Sequence, residues 1–488
     1  MKKYNVFKVL LIALAAAIVL SFLIPQSTIG YSGIEKGKIN PITLVDSISN
    51  GLTSFSVFIA SFVYILSIGI FYAVLKKSEK YDAVINNTAA KFKSKKTFVI
   101  ISVLTFGIMT ACIGDIMPML IFAPAFIDIA KKMGYDSKAS ILMTVGAIIL
   151  GSAGSLYTNY PNQILATKVT TNIIAKIILL VISLAALIVF LILTSKVKDT
   201  KLKKENVKKS LPVSIIFDVL LVLIILGTVP WNGYFGFTGF TDVFASITDF
   251  KVFKISLFNA LVGQTLLAFG EWTIYSLIVL LSVSSVVMAL IYKIKFDDLI
   301  ATVANGVKKA FPYALILVFA NVVLVSVYNS GFYTTVITSI GGMKDSILSS
   351  STVSALSSVA YPDYTYASQF TLSTLASTIT KNAIYPAMAL IFQSIYSLVL
   401  LISPTSILVL LALRYENVSY KEWIKYVFKF FLALLVAYLV IIIIVGSKFV
   451  KPTTFVVLGV LVVIFILFLV LSLTKKEEKK ETKKTKKK

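Results

Sequence analysis

Two long apolar segments, one in each half of the chain, break into small, polar and proline residues and then resume. The first break reads Gly151-Ser152-Ala153-Gly154-Ser155-Leu156-Tyr157-Thr158-Asn159-Tyr160-Pro161-Asn162, and the second Ile402-Ser403-Pro404-Thr405-Ser406. Backbone that leaves its helical ladder inside a bilayer strands N–H and C=O groups, at several kcal/mol each. It persists only where the freed groups meet protein, a ligand or a cavity. Paired breaks in corresponding places of two halves point to the binding site of a secondary transporter.

The bilayer itself follows from composition. Of 488 residues 58% are hydrophobic and only 14% charged, against about 25% charged in soluble domains. The apolar runs have the roughly 17–25-residue length of membrane helices rather than the short alternation of barrel strands. A net charge of +25 invites a nucleic-acid partner. The lysines lie between the apolar spans, however, where positive charge orients a membrane protein, so no nucleic acid is expected. The chain has no histidine, which removes imidazole proton relays, histidine-ligated metals and His-based triads. Any proton coupling must then use a carboxylate. The single Cys112 excludes an internal disulfide. The apolar run from Val6 to Ile24 is too long for a signal peptide and is read as a retained first span.

Spans are expected at 6–24, 52–75, 172–194, 213–229, 273–293, 311–328, 428–447 and 453–473, with a partial or interfacial helix at 252–269. The alternating Gly233, Phe235, Gly236, Phe237, Gly239 and Phe240 read as an interfacial loop before it. Four segments are less regular. Residues 97–131 form two arms of about 16 residues meeting at Thr110-Ala111-Cys112-Ile113-Gly114-Asp115; at ~1.5 Å per residue each arm reaches little more than 24 Å, short of a ~30 Å core. Lysines flank both ends, so a re-entrant hairpin is expected. A second, at 346–380, has its polar tip near Ser357-Ser358-Val359-Ala360-Tyr361-Pro362-Asp363. Interrupted helices complete the set at 138–167 and 383–413.

The lysines of loops 76–96, 196–209, 293–309 and 414–425, with Lys2, Lys3 and Lys8, place both termini in the cytoplasm of a multi-pass cell-membrane protein. The two halves then run in opposite senses. The organisation is a first half 1–195, a basic linker 196–211, an inverted second half 212–447, an extra span 448–474 and a basic tail 475–488 beside anionic lipid.

These residues bear a family likeness. Ile402-Ser403-Pro404-Thr405-Ser406, followed by Tyr420-Lys421-Glu422-Trp423-Ile424-Lys425-Tyr426-Val427, resembles the N-P-T-S-G … Y-x-x-W-x-K-F ending of the anaerobic four-carbon-dicarboxylate carriers, in the YfcC-like branch of the ion-transporter superfamily. The lysine-flanked hairpin with a Gly-acid tip, Lys132-Met133-Gly134-Tyr135-Asp136 and the first break look similar too. The sequence departs from that pattern at Ile407, where glycine is usual, at the single tip acid Asp115, and at the second tip, which lacks a Ser-Gly-Ser run. The resemblance implies an all-α, inverted-repeat carrier of elevator type, homodimeric, whose moving domain holds both hairpins and both broken helices.

Helix N-termini meeting at mid-membrane suit a carboxylate, while carbonyls, hydroxyls and amides suit a desolvated sodium ion. The candidate site residues are therefore Gly151, Ser152, Gly154, Ser155, Thr158, Asn159, Pro161 and Asn162 at the first break, and Ser403, Pro404, Thr405 and Ser406 at the second. Thr110, Gly114 and Asp115 at one tip, with Ser357, Ser358 and Asp363 at the other, close over the substrate. Thr158, Asn159, Thr405 and Ser406 are the sodium candidates. Asp115 is the sharpest single residue, as proton carrier, cation ligand or counter-charge to an ammonium. Small residues also let membrane helices pack closely, which is the competing reading of each lone Ser or Gly. The expected activity is ion-coupled transport or exchange of a four-carbon dicarboxylate or an amino acid, with sodium or protons as coupling ion and no other cofactor. The alternatives are a channel, or a membrane enzyme on lipid-linked substrates. No nucleophile–base or metal cluster for the enzyme is visible, nor a phosphate loop for a pump.

Overall fold

The computed structural model describes residues 5–446, apart from 31–32, 93, 158, 199, 201–209, 253, 264–265, 343–345 and 380–381. The expected span and tail after 447, most of the linker 196–211, and Thr158 lie outside the described residues, as does the Asn159 side chain.

Among the described residues nine helices are long and apolar enough to cross a membrane. The chain is a multi-pass helical membrane protein. Asn5–Leu23, Ile173–Thr194, Leu211–Thr228 and Ile274–Ile291 lie where the apolar runs put them. Elsewhere the helices differ from the expected spans for identifiable reasons. The span expected at 52–75 is two helices, Leu44–Val57 and Ile59–Lys77, parted at Phe58. The first starts at a reciprocal cap between Thr43 and Asp46. Its apolar composition is diluted by Asn50 and Ser54, which are buried because they have partners: the Asn50 amide donates to Ser326 Oγ (3.0 Å) and Ser54 Oγ to the Val318 carbonyl (2.9 Å). Those partners belong to Phe296–Ser330, a 35-residue helix that absorbs the lysine-bearing stretch before the expected 311–328 span. Asp297 and Asp298 favour its N-terminus, and Pro312 sits inside it without ending it. Within 252–269 the described residues hold a ribbon of two two-residue strands, Lys251–Val252 with Ile255–Ser256, and one short helix, Leu257–Leu261, so the partial helix expected there is only five residues long.

The Ile59–Lys77 and Phe296–Ser330 helices form the tightest crossing of the framework. A Cβ on Gly69 would sit 2.3 Å from Ala310 Cβ, and one on Gly306 would sit 2.9 Å from Ile70 Cα. Backbones approach this closely only where side chains are missing.

Against this framework stand two helix–tip–helix units, each followed by an interrupted helix. In the first, Lys95–Ile113 ends at left-handed Gly114, and the chain returns through Met117–Leu120 and Ala123–Lys132. The outward arm has 19 residues, about 28 Å, so it is longer than the expected arm and the unit is lopsided. Next comes Ser137–Ile141, a π-helical turn Leu142–Gly146, then Ala147–Ala153, a gap, and Asn159–Ile164. In the second, Ser346–Ala360 turns at Tyr361-Pro362-Asp363 into Tyr364–Thr378. Tyr385–Val399, a gap and Ile407–Tyr415 follow.

The lysine-rich loops gather at one end. Tyr135 Oη donates to the Lys95 carbonyl (2.8 Å), closing the mouth of the first hairpin, and Lys95 Nζ donates to the Lys198 carbonyl (2.9 Å). Lys131 pairs with Glu416 (3.1 Å), Lys77 pairs with Asp298 (3.3 Å), and Arg414 stacks on Phe7 near the start of the chain. The helix Tyr420–Val445 runs from this end to the other, where a Cβ on Gly446 would sit 2.6 Å from Ile347 Cδ1 at the root of the second hairpin. The two hairpins therefore open toward opposite ends.

Candidate functional site

The stranded backbone at each break decides what surrounds it. At the first break, Leu156 N (3.0 Å) and Ser155 Oγ (3.3 Å) donate to the Ala111 carbonyl in the last turn of the hairpin's outward arm. At the second, Ser403 Oγ donates to the Ser358 carbonyl (2.8 Å) and Thr405 Oγ1 to the Val359 carbonyl (2.9 Å), again in the last turn of an outward arm. Each interrupted helix thus satisfies the orphan C-terminal carbonyls of the hairpin before it. The two units meet directly. The Gln393 amide crosses to the Ser155 carbonyl (2.6 Å), and Ser152 and Ser397 share a hydrogen bond of 3.2 Å.

The carbonyls freed at the second break have their own donors. Trp423 Nε1 donates to the Leu401 carbonyl (2.8 Å), and Tyr420 Oη donates to the Ile402 carbonyl. This explains why a Tyr-x-x-Trp pair accompanies Ser403-Pro404-Thr405-Ser406: residues three apart on one helix face reach two successive stranded carbonyls.

Sequence-predicted residues fall into distinct positions. Gly151 and Ser152 are still helical, as the break begins only at Gly154 and ends before Asn159. Gly151 lets the interrupted helix lie on the hairpin, since a Cβ would come 2.3 Å from the Gly107 carbonyl oxygen; Gly154 does the same against Leu180 Cα at 2.7 Å. Pro161 lies in the first turn of the resumed helix, where a missing N–H costs nothing. Asn162 accepts from Thr167 through its side chain (2.9 Å) and its carbonyl (2.8 Å), shaping the following turn. Ser357 is pinned by Thr371 of the returning arm and by Tyr333 of the preceding helix Phe332–Gly341, both at 2.9 Å. Ser358 Oγ bonds back to the Ala355 carbonyl (2.9 Å), and Pro404 sits in the turn of the second break.

At the tips both acids accept from backbone N–H groups just beyond them, and Asp363 is the N-cap of its returning helix. Asp115 accepts from Met117 N (2.9 Å), and Asp363 from Thr365 N (3.0 Å) and Tyr366 N (3.1 Å), each at the start of a returning arm. Two candidate hydroxyls, Thr110 Oγ1 and Ser406 Oγ, are buried without a hydrogen-bond partner. Each is thereby open to a ligand or a water molecule. Thr405 and Ser403 spend their protons on carbonyls or on each other, which leaves oxygen lone pairs for a cation. Among the described residues no group of three or more His, Cys, Asp or Glu is placed to hold a metal ion.

Four contributors were not anticipated: Gln393, Ser397, Tyr234 and Lys176. The glycine-aromatic loop also reaches the site, while Phe235 and Phe237 stay exposed. Tyr234 Oη donates to the Cys112 carbonyl (2.9 Å) and its ring packs on Tyr157, which overlies Gly233. Lys176 is 2% exposed, donates to the Val169 carbonyl (3.0 Å), and sits one helical turn from Leu180 at the first break. Of these, only the buried lysine inside an apolar run carried a signal in the sequence. The π-turn ahead of the first break is a further mark of a functional position.

No family model matches the chain, and no curated protein matches it. Two solved transporter structures align along most of it. The Alcanivorax borkumensis YdaH transporter, of unusual topology, is 12% identical with a TM-score of 0.43, over 92% of this chain and 98% of that one. Neisseria gonorrhoeae MtrF, from a class of antimetabolite efflux pumps, is 14% identical with a TM-score of 0.36, over 91% and 94%. Likeness this distant assigns the chain neither a family nor a substrate.

Proposed function

We propose that the chain is an ion-coupled secondary transporter or exchanger of a small carboxylate-bearing metabolite, a four-carbon dicarboxylate or an amino acid. The observation that carries this reading is the junction of the two interrupted helices, where Gln393 reaches Ser155 and Ser152 meets Ser397 while each break holds its own hairpin. A bilayer protein that needed only rigidity would keep both helices whole, because every interruption must be compensated by extra donors. Two hairpins opening to opposite ends and converging on that junction are the arrangement of an inverted repeat with a central site. An elevator movement of the hairpins and broken helices along the Gly69–Gly306 framework, in a homodimer, follows from the same reading.

In this reading the resuming helices present N–H groups to the carboxylate. The hydroxyls of Thr405, Ser406 and Thr110 offer oxygen to sodium, and Asp115 and Asp363 stand at the tips as the charge that responds to a cation, a proton or a substrate ammonium. The experiment is reconstitution in liposomes with labelled dicarboxylates and amino acids, with and without a sodium gradient. Saturable uptake that exchanges with internal substrate is expected, and Thr405→Val should abolish it while the protein stays folded. Flux that never saturates would make the chain a channel. Product formation without vectorial movement would make it an enzyme.

A further inference from the structure

At the lysine-rich end a cavity of about 710 Å³ separates the framework helices Ile59–Lys77 and Phe296–Ser330 from the returning arm of the first hairpin and the last helix of the second interrupted pair. Its lining combines two chemistries. Lys76, Lys77, Lys308, Lys309 and Arg414 supply five cationic side chains, and no carboxylate lines it. Beneath them the wall is apolar, with Ile68, Leu120, Ile127 and Leu411.

The surrounding acids leave this imbalance in place. Asp298 offsets Lys77 alone, at 3.3 Å. Asp128 is occupied by the hydroxyls of Tyr81 (2.9 Å) and Tyr415 (3.1 Å), and Glu416 by Lys131 (3.1 Å). Among the described residues Lys308 and Lys309 have no ion-pair partner. Arg414 is held between the rings of Phe7 and Tyr313, at 5.5 and 5.4 Å, which fixes the position of its charge.

We propose that this cavity binds an anionic phospholipid, its phosphate headgroup on Lys308, Lys309 and Arg414 and its first methylenes against the apolar wall. A small soluble anion would need the cations but not the wall, and an uncharged lipid the wall but not the cations. The volume lies in the range of a ligand pocket. Basic pockets between membrane helices beside lysine-rich loops are where anionic headgroups collect. The inference stands independently of the transport reading.

The test is native mass spectrometry of the purified full-length protein with dioctanoyl phosphatidylglycerol, dioctanoyl phosphatidylcholine and glycerol 3-phosphate. Phosphatidylglycerol should bind, weakening with salt, and the other two should bind at least tenfold more weakly. Loss of a lysine charge is expected to cost roughly fivefold, so the double variant Lys308→Gln with Lys309→Gln should bind about thirty-fold more weakly. Lys36→Gln, on a distant ribbon, should not change binding. Thr302→Phe, which also lines the cavity but lies outside the Gly69–Gly306 crossing, fills it without altering charge and should remove binding, which decides the matter even if the double variant does not fold. Equal binding of both lipids, glycerol 3-phosphate as tight as phosphatidylglycerol, or unchanged binding by folded Thr302→Phe would each overturn the proposal.

Discussion

The Gln393 side-chain amide donates to the Ser155 carbonyl at 2.6 Å, so a residue of the second interrupted helix closes the gap in the first. Gln393 is 1% exposed, so the bond lies out of contact with bulk water. Removing the donor strands a buried carbonyl, at about 1–3 kcal/mol. Gln393→Leu should therefore lower the melting temperature in detergent and impair uptake in liposomes. Gln393→Glu should also lower it, because a carboxyl this deeply buried must take up a proton before it can donate to the carbonyl. A melting temperature unchanged by either substitution would show that the contact contributes nothing.

Tyr420 and Trp423 give a second test. Their donors serve the adjacent carbonyls of Ile402 and Leu401. Tyr420→Phe and Trp423→Phe should each cost about 1–3 kcal/mol, measured by thermal unfolding in detergent. Because both groups hold one short turn, the double variant should cost less than the two single losses added together. Strict additivity would mean that the two caps act on separable pieces of backbone.

What the sequence made legible was local. Gly114, Asp115, Pro362, Asp363, Pro404 and Gly154 are residues that stop or turn a chain, and the helices end within a few positions of them. Three features escaped because they depend on distant partners. The first break looked twelve residues long, since Gly151, Ser152 and Pro161 read as breakers. Gly151 serves helix packing, Ser152 bonds Ser397 from within the helix, and Pro161 occupies a first turn that tolerates proline. The helix Leu44–Val57 lost its identity to an apolar neighbour because Asn50 and Ser54 are buried only by virtue of Ser326 and Val318, more than 260 residues away. Gln393, inside an apolar helix, gave no local sign that its partner is a carbonyl 238 residues earlier.

Gly114 supplies a prediction about backbone. It has φ +80°, and a Cβ there would lie 1.9 Å from the Tyr157 carbonyl oxygen. Gly236 has φ +63° with open space around it. Alanine at 236 should cost only the left-handed penalty of about 1–2 kcal/mol. Gly114→Ala should cost visibly more, because the first hairpin tip and the first break must move apart. Comparable melting temperatures for the two variants would mean that tip and break are not in the contact described.

Lys176 is the remaining buried charge near the junction. Its only described bond is to the Val169 carbonyl (3.0 Å), and Leu180, one turn on, packs under Gly154. Two roles predict different kinetics. As a carbonyl cap, Lys176 would matter for folding alone, and Lys176→Met would lower the melting temperature while KM for uptake stayed constant. As the positive partner of a carboxylate substrate, it would supply a charge-assisted interaction of about 1.5–3 kcal/mol, so Lys176→Met should raise KM roughly ten- to a hundredfold with little change in kcat. Lys176→Arg, which keeps the charge, should recover part of that loss. The second outcome is expected, because a lysine kept inside an apolar span solely to cap one carbonyl is an expensive choice where serine or asparagine would serve.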